Sequence, residues 1–266
     1  MKIWELIAFS RRRIKGRRWA ILLVCMLPLG AELVFRLAEA AFYSLLLYFG
    51  GMRPVALFNG ESSEQLALAA VFTVLRWLVA APLTCAAAAK LTDLTDERPK
   101  GVSVTELLLS GSFIRRSTAA YITGRLVCFA ALVPSAAAGA YAFDVISSGG
   151  GSRELFAATN SAAAAVVFAA MWLSARLSIT AVPYLLAAYP EKSGVRVAFM
   201  SLGFMRGRKR LPLVLGAVYL PLMLTVVGIP FFLPELAAAF TTGISIFMKE
   251  DEYCAVSAPP ISRVRS

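Results

Sequence analysis

Residues 211–248 form an apolar run of thirty-eight residues that contains a single charge, Glu235. A transmembrane helix needs about 20 predominantly apolar residues, and a soluble domain has no use for a run of this length. At least three further runs of the same kind precede it in the chain. The sequence therefore predicts a protein that crosses a membrane several times.

The composition agrees with this class. Hydrophobic residues make up 59% of the chain and charged residues only 16%, whereas soluble domains carry about 25% charged residues. The formal net charge of +11 would suggest nucleic-acid binding in a soluble protein. Here the charges lie in short segments beside apolar runs, which is typical of cytoplasmic loops in membrane proteins. No nucleic-acid partner is expected.

Apolar runs and their breaks predict the number of spans. The last run would reach about 57 Å as one helix, nearly twice the hydrocarbon thickness, and Gly228, Pro230 and Pro234 interrupt it. We therefore predict an all-α, polytopic transmembrane helical bundle of about six spans, with five as the alternative, and with interfacial amphipathic helices. The predicted spans are 19–48, 66–89, 119–143, 155–186, 211–229 and a shorter segment at about 234–248.

This pattern divides the chain into three parts. Residues 1–18 are predicted to form a basic amphipathic segment, 19–248 the transmembrane helical domain, and 249–266 a disordered tail. A cleaved signal peptide with its site at Ala38-Glu39-Ala40 is the less favoured alternative, because charges interrupt the apolar region before that site.

The distribution of Lys and Arg predicts the orientation. The N-terminal segment and the loops at 90–118 and 190–210 are rich in both, whereas the loops at 50–65 and 144–154 carry only Arg53 and Arg153. Because basic loops stay in the cytoplasm, the N-terminus is predicted to be cytoplasmic. If the last run forms a hairpin, the C-terminus is cytoplasmic too, and Arg263 and Arg265 agree with that side.

Two segments have the pattern of helices that lie in the membrane interface. Ile3, Trp4, Ile7 and Ala8 are predicted to share one face of an N-terminal helix, which a cluster of arginines and lysine follows. Such segments bind anionic lipid. In residues 192–210 the apolar face is predicted to comprise Val195, Phe199, Leu202 and Met205.

Charged residues inside spans are costly and are therefore the first candidates for a functional site. Glu32, Arg36 and Glu39 are spaced i, i+4 and i+7 on the first span, and Arg76 is expected near the middle of the second. These four residues predict either a polar pocket or ion path, or a structural ion-pair network that holds the two helices together, with Glu39 alternatively lying at the outer membrane interface.

A second candidate set is basic and is predicted to contact lipid phosphates or a cytoplasmic partner. Arg176 falls near the cytoplasmic end of its span, where an arginine can reach the headgroups. The remaining members follow in the amphipathic segment and the turn after it: Arg196, Arg206, Arg208, Lys209 and Arg210.

Residue types needed for common catalytic and metal sites are scarce. The chain has no histidine, the most common general base and transition-metal ligand. Its four cysteines form no CxxC pair, so a zinc site or disulfide framework is not expected. We predict no catalytic residues, no metal and no cofactor, and hence a protein that is not an enzyme.

Part of the chain resembles a known family. Arg176-x-Ser178, Pro183-Tyr184-Leu185-Leu186-Ala187, Pro190 and the segment from Ser201 through Met205, Gly207 and Lys209 are similar to the pattern of the DUF975 family of bacterial integral membrane proteins. Gly111-Ser112-Phe113 and Ala237-Ala238-Ala239-Phe240 also fit, whereas Phe240-Thr241 replaces the family's usual Phe-Tyr. The resemblance implies a bacterial plasma membrane address and about six spans, and it implies no reaction.

Two functional hypotheses follow. The first is a non-enzymatic accessory, scaffold or lipid-organising factor of the cell envelope, whose partners are membrane lipids, anionic headgroups of the cytoplasmic leaflet, and a membrane-protein partner or a second copy of the chain. The second is a small-molecule or ion transporter or channel subunit that uses the Glu32–Arg76 cluster, since broken helices such as those predicted in the last run often flank transport sites.

Overall fold

The structure is a computed structural model that describes residues 3–50, 63–96, 101–149, 151–223 and 228–257. These residues form ten α-helices and no strand. In chain order the helices are α1 Ile3–Arg13, α2 Arg18–Gly50, α3 Ser63–Thr95, α4 Val104–Leu109, α5 Gly111–Ser147, α6 Ser152–Ile179, α7 Val182–Ala188, α8 Gly194–Phe204, α9 Arg210–Met223 and α10 Ile229–Ser257.

Five segments among the described residues are long and apolar enough to cross a membrane: Arg18–Phe42, Ala70–Thr95, Gly111–Ser147, Ser152–Ala188 and Ile229–Asp251. This confirms the all-α, multi-pass bundle. The predicted span at 211–229 corresponds to α9, which has 14 residues. These described residues reach about 21 Å at 1.5 Å per residue, against a hydrocarbon thickness of about 30 Å. Residues 224–227, which follow them, lie outside the described part of the chain.

Two boundaries differ from the sequence prediction. The span predicted at 155–186 is divided by a turn at Thr180 and Ala181, after which α7 begins with Pro183 in its first turn, a position where the missing N–H of proline costs nothing. Of the tail predicted to be disordered from residue 249, the part up to Ser257 is helical and belongs to α10, and Asp251 in this part binds Arg208. Residues 258–266 lie outside the described residues.

Some sequence predictions lie outside the described residues. They concern Arg53 and most of the 50–65 loop, Arg98 and Lys100 in the 90–118 loop, and Arg263 and Arg265 in the tail.

The buried residues are concentrated at one end of the bundle, which we call the packed end. It comprises α1, the start of α2, the last half of α3, the first half of α5, α7, α8 and the helices after them. One cluster joins α3, α5, α7 and α8 through Ala86, Ala120, Leu185 and Val197. A second joins the α1–α2 turn to α3 and α10, and a third joins α1 to α9 and α10.

The other halves of the long helices bury few side chains. Val34 and Leu37 on α2, Phe143 on α5 and Val166 on α6 are all more than half exposed. Large apolar side chains in this position are stable in lipid or against another protein, but not in water. Between α5 and α6 the contact is close, with Ser135 Oγ donating a hydrogen bond to the Ala165 carbonyl over 2.9 Å, as small residues permit.

The two amphipathic helices, each predicted to lay an apolar face on lipid, also bury a different face in the protein. Helix α1 buries Leu6, Ile7 and Ser10, while Trp4 is 68% exposed. Helix α8 buries Val197, Ala198 and Ser201. The reason is that each helix packs against the protein with one face. The predicted apolar residues Val195 and Phe199 are left exposed on another face.

Helix α8 lies against α5 at a close contact through Gly194. A Cβ atom at Gly194 would be 2.8 Å from the Ala120 nitrogen and closer still to the Arg116 carbonyl. Arg116 also donates hydrogen bonds of 2.9 Å to the carbonyls of Tyr189 and Lys192, in the turn before α8. The turn is therefore held on α5 by the hydrogen bonds of Arg116. The start of α8 is held by a contact with the α5 backbone that is too close for any residue larger than glycine at position 194.

We predict that Gly194→Ala lowers the free energy of unfolding by about 1–3 kcal/mol, because the added methyl overpacks against the α5 backbone. Thermal unfolding of the purified protein in a mild detergent measures this. Gly203→Ala is the matched control on the same helix, since nothing lies within 4 Å of a Cβ there. If both variants unfold at the same temperature, the α5–α8 contact is not as described.

Candidate functional site

The intramembrane charges predicted from the sequence come together only in part. Glu32 Oε1 accepts a hydrogen bond from Arg36 Nε at 3.2 Å and lies 3.4 Å from an Nη atom of Arg76. Helices α2 and α3 pack side by side here, and the rings of Phe42 and Phe72 meet farther along the same pair at 5.4 Å. Glu39 makes no hydrogen bond or ion pair within the described part of the chain.

This arrangement limits the chemistry of the cluster. One carboxylate faces two guanidinium groups, so the charge of Glu32 is compensated from its own helix and from α3. The Arg76 side chain is 19% exposed and that of Glu32 is 37% exposed. The geometry is that of a bridge between two helices.

Two members of the predicted basic set bind other residues of the protein, and the other four are exposed. Arg208 forms a two-pronged ion pair with Asp251, with distances of 2.8 and 2.5 Å, and its guanidinium lies over the rings of Phe204 and Phe247. Lys209 donates a hydrogen bond to Ser174 Oγ on α6. Both residues thus tie the α8–α9 turn to the bundle, and neither is placed as the sequence predicted, on an open surface.

Four members of the set remain accessible. Arg176 is exposed on α6 and lies beside the Cys128 thiol. Arg196, Arg206 and Arg210 are also exposed, and none of these three has a hydrogen bond from its side chain or an ion pair within the residues that the structure describes. They are therefore able to bind an external anion without breaking an existing contact.

The structure reveals one buried charge centre that the sequence analysis did not select. Glu235 follows Pro234 on α10 and is only 6% exposed. Its two carboxylate oxygens accept hydrogen bonds from Arg11 Nε at 2.8 Å and from an Nη atom of Arg18 at 2.9 Å. We call these three residues the Glu235 centre. The signal was present, because Glu235 is the single charge of the last apolar run, and intramembrane charges mark sites or structural pairs.

Burial by itself would lower the pKa of Arg11, but the hydrogen bond and the charge of Glu235 outweigh it, so the pKa of Arg11 is raised above its usual value. Arg11 therefore stays charged at every physiological pH. The centre works as a fixed electrostatic link between α1, the start of α2 and α10.

The other N-terminal arginines are also used inside the chain. Arg13 and Arg17 donate hydrogen bonds to the carbonyls of Thr95 and Leu94, at 3.2 and 3.0 Å. These carbonyls end α3 and have no partner within that helix, so cations are favoured there. The basic cluster, which the sequence placed against lipid headgroups, is thus largely occupied by contacts with α3 and α10.

A buried aspartate organises the turn after α3. Asp93 accepts hydrogen bonds from the backbone nitrogens of Gly101 and Val102, at 3.2 and 3.1 Å, and from Lys90 Nζ at 3.2 Å. The Asp93 carboxylate therefore holds the residues after α3 in place, and these hydrogen bonds explain its burial. Within the described chain no three His, Cys, Asp or Glu side chains are close enough to hold a metal ion.

We predict that removing the two arginines of the Glu235 centre lowers the free energy of unfolding more than removing the carboxylate does. Arg11→Gln with Arg18→Gln leaves a buried carboxylate without compensation and lowers the free energy of unfolding by roughly 3 kcal/mol. Glu235→Gln leaves two half-exposed arginines that water can solvate, at a cost of no more than about 1 kcal/mol. Thermal or denaturant unfolding in detergent measures both.

The triple variant provides the control for this prediction. Adding Glu235→Gln to the two arginine changes removes the uncompensated charge, so stability should recover relative to the double variant. A triple variant that is less stable than the double one would show that Glu235 is held by other contacts.

We also predict that the Glu32–Arg76 bridge tolerates reversal. Glu32→Arg or Arg76→Glu alone places like charges together inside the membrane and lowers the amount of folded protein, because an uncompensated charge there costs several kcal/mol. The double exchange restores the bridge and most of the protein level, measured by quantitative blotting of membranes. If the double exchange leaves the protein level as low as the single changes do, the structural role of the bridge is contradicted.

Comparison with known proteins leaves the family undecided. No protein-family model matches the chain, and no curated protein and no solved structure does. The resemblance to the DUF975 family therefore stays a prediction from the residues that carry it.

Proposed function

We propose that this chain is a non-enzymatic multi-pass protein of the plasma membrane that acts as an accessory or lipid-organising factor of the cell envelope. The observation that carries the proposal is the surface formed by α8 and the turn to α9. This short segment carries the exposed cations Arg196, Arg206 and Arg210 and the exposed apolar side chains Val195 and Phe199. We call these five residues the α8–α9 surface.

The chemistry of this surface fits the lipid interface. Apolar side chains of an interfacial helix enter the boundary between headgroups and acyl chains, while arginines reach the phosphates. Helix α8 is held firmly on α5 through Val197, Ala198 and Gly194, so its exposed face has a defined orientation. A helix that only needed to fill the protein core would not leave Phe199 more than half exposed.

The charge distribution supports the cytoplasmic leaflet. Loops rich in Lys and Arg stay in the cytoplasm, and that leaflet is the one with anionic lipids. The N-terminus would then be cytoplasmic, and the tail after α10 would share that side if the last run crosses the membrane twice. The resemblance to the DUF975 family supports a bacterial plasma membrane as the address.

The sparsely packed halves of α2, α5 and α6 support an accessory role. Their exposed apolar side chains, such as Val34, Leu37 and Phe143, are compatible with annular lipid, a membrane-protein partner or a second copy of the chain. The transport hypothesis has less support, because Glu32 is compensated by Arg36 and Arg76 and the geometry of a helix bridge explains the three residues without a substrate.

We predict that Arg196→Gln, Arg206→Gln and Arg210→Gln together reduce the preference for anionic lipid by about tenfold or more, since each basic residue near the surface contributes about 1 kcal/mol. The protein is reconstituted in phosphatidylcholine bilayers that contain phosphatidylglycerol. The ratio of the two lipids retained after mild detergent extraction is then measured by mass spectrometry.

Arg153→Gln is the matched control, because Arg153 is exposed in the first turn of α6 and is predicted to lie on the other side of the membrane. It should leave the retained ratio unchanged. An unchanged ratio in the triple variant, with the fold intact, would remove the lipid-organising role of the α8–α9 surface.

A further inference from the structure

A cleft lies between α1 and the C-terminal half of α10. The two helices run antiparallel, because Arg11 meets Glu235 near one end of the contact and Leu6 lies beside Gly243 farther along. Along this contact the helices leave a half-open cavity of about 480 Å³, lined on the α10 side by residues between Thr242 and Lys249. This α1–α10 cleft is separate from the α8–α9 surface and contains none of its five residues.

The charges around the cleft favour an anion. Arg12, Arg13 and Lys249 line it, with Glu5 as the single carboxylate. Arg13 is already held by the Thr95 carbonyl and by the Phe9 ring, 4.3 Å from its guanidinium. Arg12 and Lys249 are exposed and make no hydrogen bond from the side chain and no ion pair within the described residues. Two cations are therefore available to a ligand.

A buried hydroxyl gives an independent indication that the cleft has a ligand. Thr242 lines the cavity and is only 2% exposed, yet its Oγ1 has no hydrogen-bond partner in the structure described. Its neighbour Thr241 shows the usual solution, a hydrogen bond of 2.7 Å to the Ala237 carbonyl one turn earlier. Buried polar atoms in proteins are rarely left unpaired. Thr242 Oγ1 has almost no exposed surface of its own, so it donates to an acceptor in the cleft when its side chain rotates toward the cavity that the residue lines.

We infer that the α1–α10 cleft binds a phosphate group, with Arg12 and Lys249 contacting its oxygens and the Thr242 hydroxyl donating a hydrogen bond. Phosphate oxygens form strong charge-assisted hydrogen bonds with such donors. The apolar walls, Phe9 and Ile246, suit the glycerol and acyl part of an anionic phospholipid. This inference deepens the proposed function and depends on it for the membrane side, because it names a specific headgroup site beside the general α8–α9 surface.

The test uses the full chain in a neutral detergent, titrated by calorimetry with short-chain phosphatidylglycerol. Short-chain phosphatidylcholine, glycerol phosphate and inorganic phosphate are titrated in parallel. We expect phosphatidylglycerol to bind, with about tenfold weaker binding for each of Arg12→Gln and Lys249→Gln, and weaker binding for Thr242→Val. Arg153→Gln is the control for loss of a surface cation, and Thr159→Val for loss of an exposed hydroxyl.

The arms distinguish the source of the phosphate. Tight binding of phosphatidylglycerol with weak competition by inorganic phosphate supports a lipid headgroup. Glycerol phosphate or inorganic phosphate that binds as tightly as the lipid supports a soluble phosphate ester in the same site. Phosphatidylglycerol binding that is absent, or equal in the native chain and in all three cleft variants, overturns the inference.

The experiments distinguish a failure of this inference from a failure of the proposed function. If the three α8–α9 substitutions reduce anionic-lipid retention and the cleft variants have no effect, the proposed function stands and the cleft site is excluded. Thermal unfolding of each variant confirms that the fold is kept, which the exposed positions of Arg12 and Lys249 and the similar shapes of Thr and Val lead us to expect.

Discussion

The charge of Glu235 has to be compensated inside the protein, and the arrangement of the packed end depends on how this is done. A carboxylate that is 6% exposed is costly unless it is paired and hydrogen-bonded. Arg11 and Arg18 supply both contacts, and they come from either side of the α1–α2 turn. The pairing therefore fixes α1 against α10 and sets the point at which α2 begins. The third hydrophobic cluster, which joins α1, α9 and α10, forms around this alignment.

The same logic explains why the N-terminal segment is more than a membrane anchor. Its arginines bind Glu235 and the last carbonyls of α3, so they link the two ends of the chain to its second long helix. Charged groups that are engaged in this way are unavailable to lipid. Arg12 projects instead toward the cleft beside α10. The proposed recognition of anions therefore rests on a few positions, although the chain has a large excess of positive charge.

The packed end and the sparsely packed halves of the long helices differ in what they present to their surroundings. At the packed end, turns and short helices hold the long helices in place through Gly194, Arg116, Asp93 and Arg208. At the other end, the long helices expose apolar side chains that only lipid or another protein can cover. The proposed accessory or lipid-organising role would use both features, the basic α8–α9 surface toward the headgroups and the exposed apolar side chains within the membrane.

Much of the fold could be predicted from the sequence, because the length and polarity of each apolar run are local properties. The positions of α2, α3 and α5 follow directly from them. The last apolar run is harder to interpret. Its length predicts two spans, whereas the structure divides its described residues into α9, a helix of 14 residues, and the longer α10. For the candidate sites the outcome was mixed. The i, i+4 spacing predicted the Glu32–Arg36 pair, whereas Glu39 has no partner in the described chain.

What the sequence by itself determined is the class of protein, a helical bundle that crosses a membrane several times. Apolar runs of this length and low charge are stable in lipid, whereas in water they would expose large apolar surfaces. Only the tertiary structure decided which of its many arginines are structural. Arg11 and Glu235 are separated by more than two hundred residues, and no local pattern reports on a pair so distant. The face of α8 that meets α5, the pairing of Arg208 with Asp251 and the unpaired Thr242 beside Arg12 likewise depend on helices brought together by packing, which is why they appear only in the folded chain.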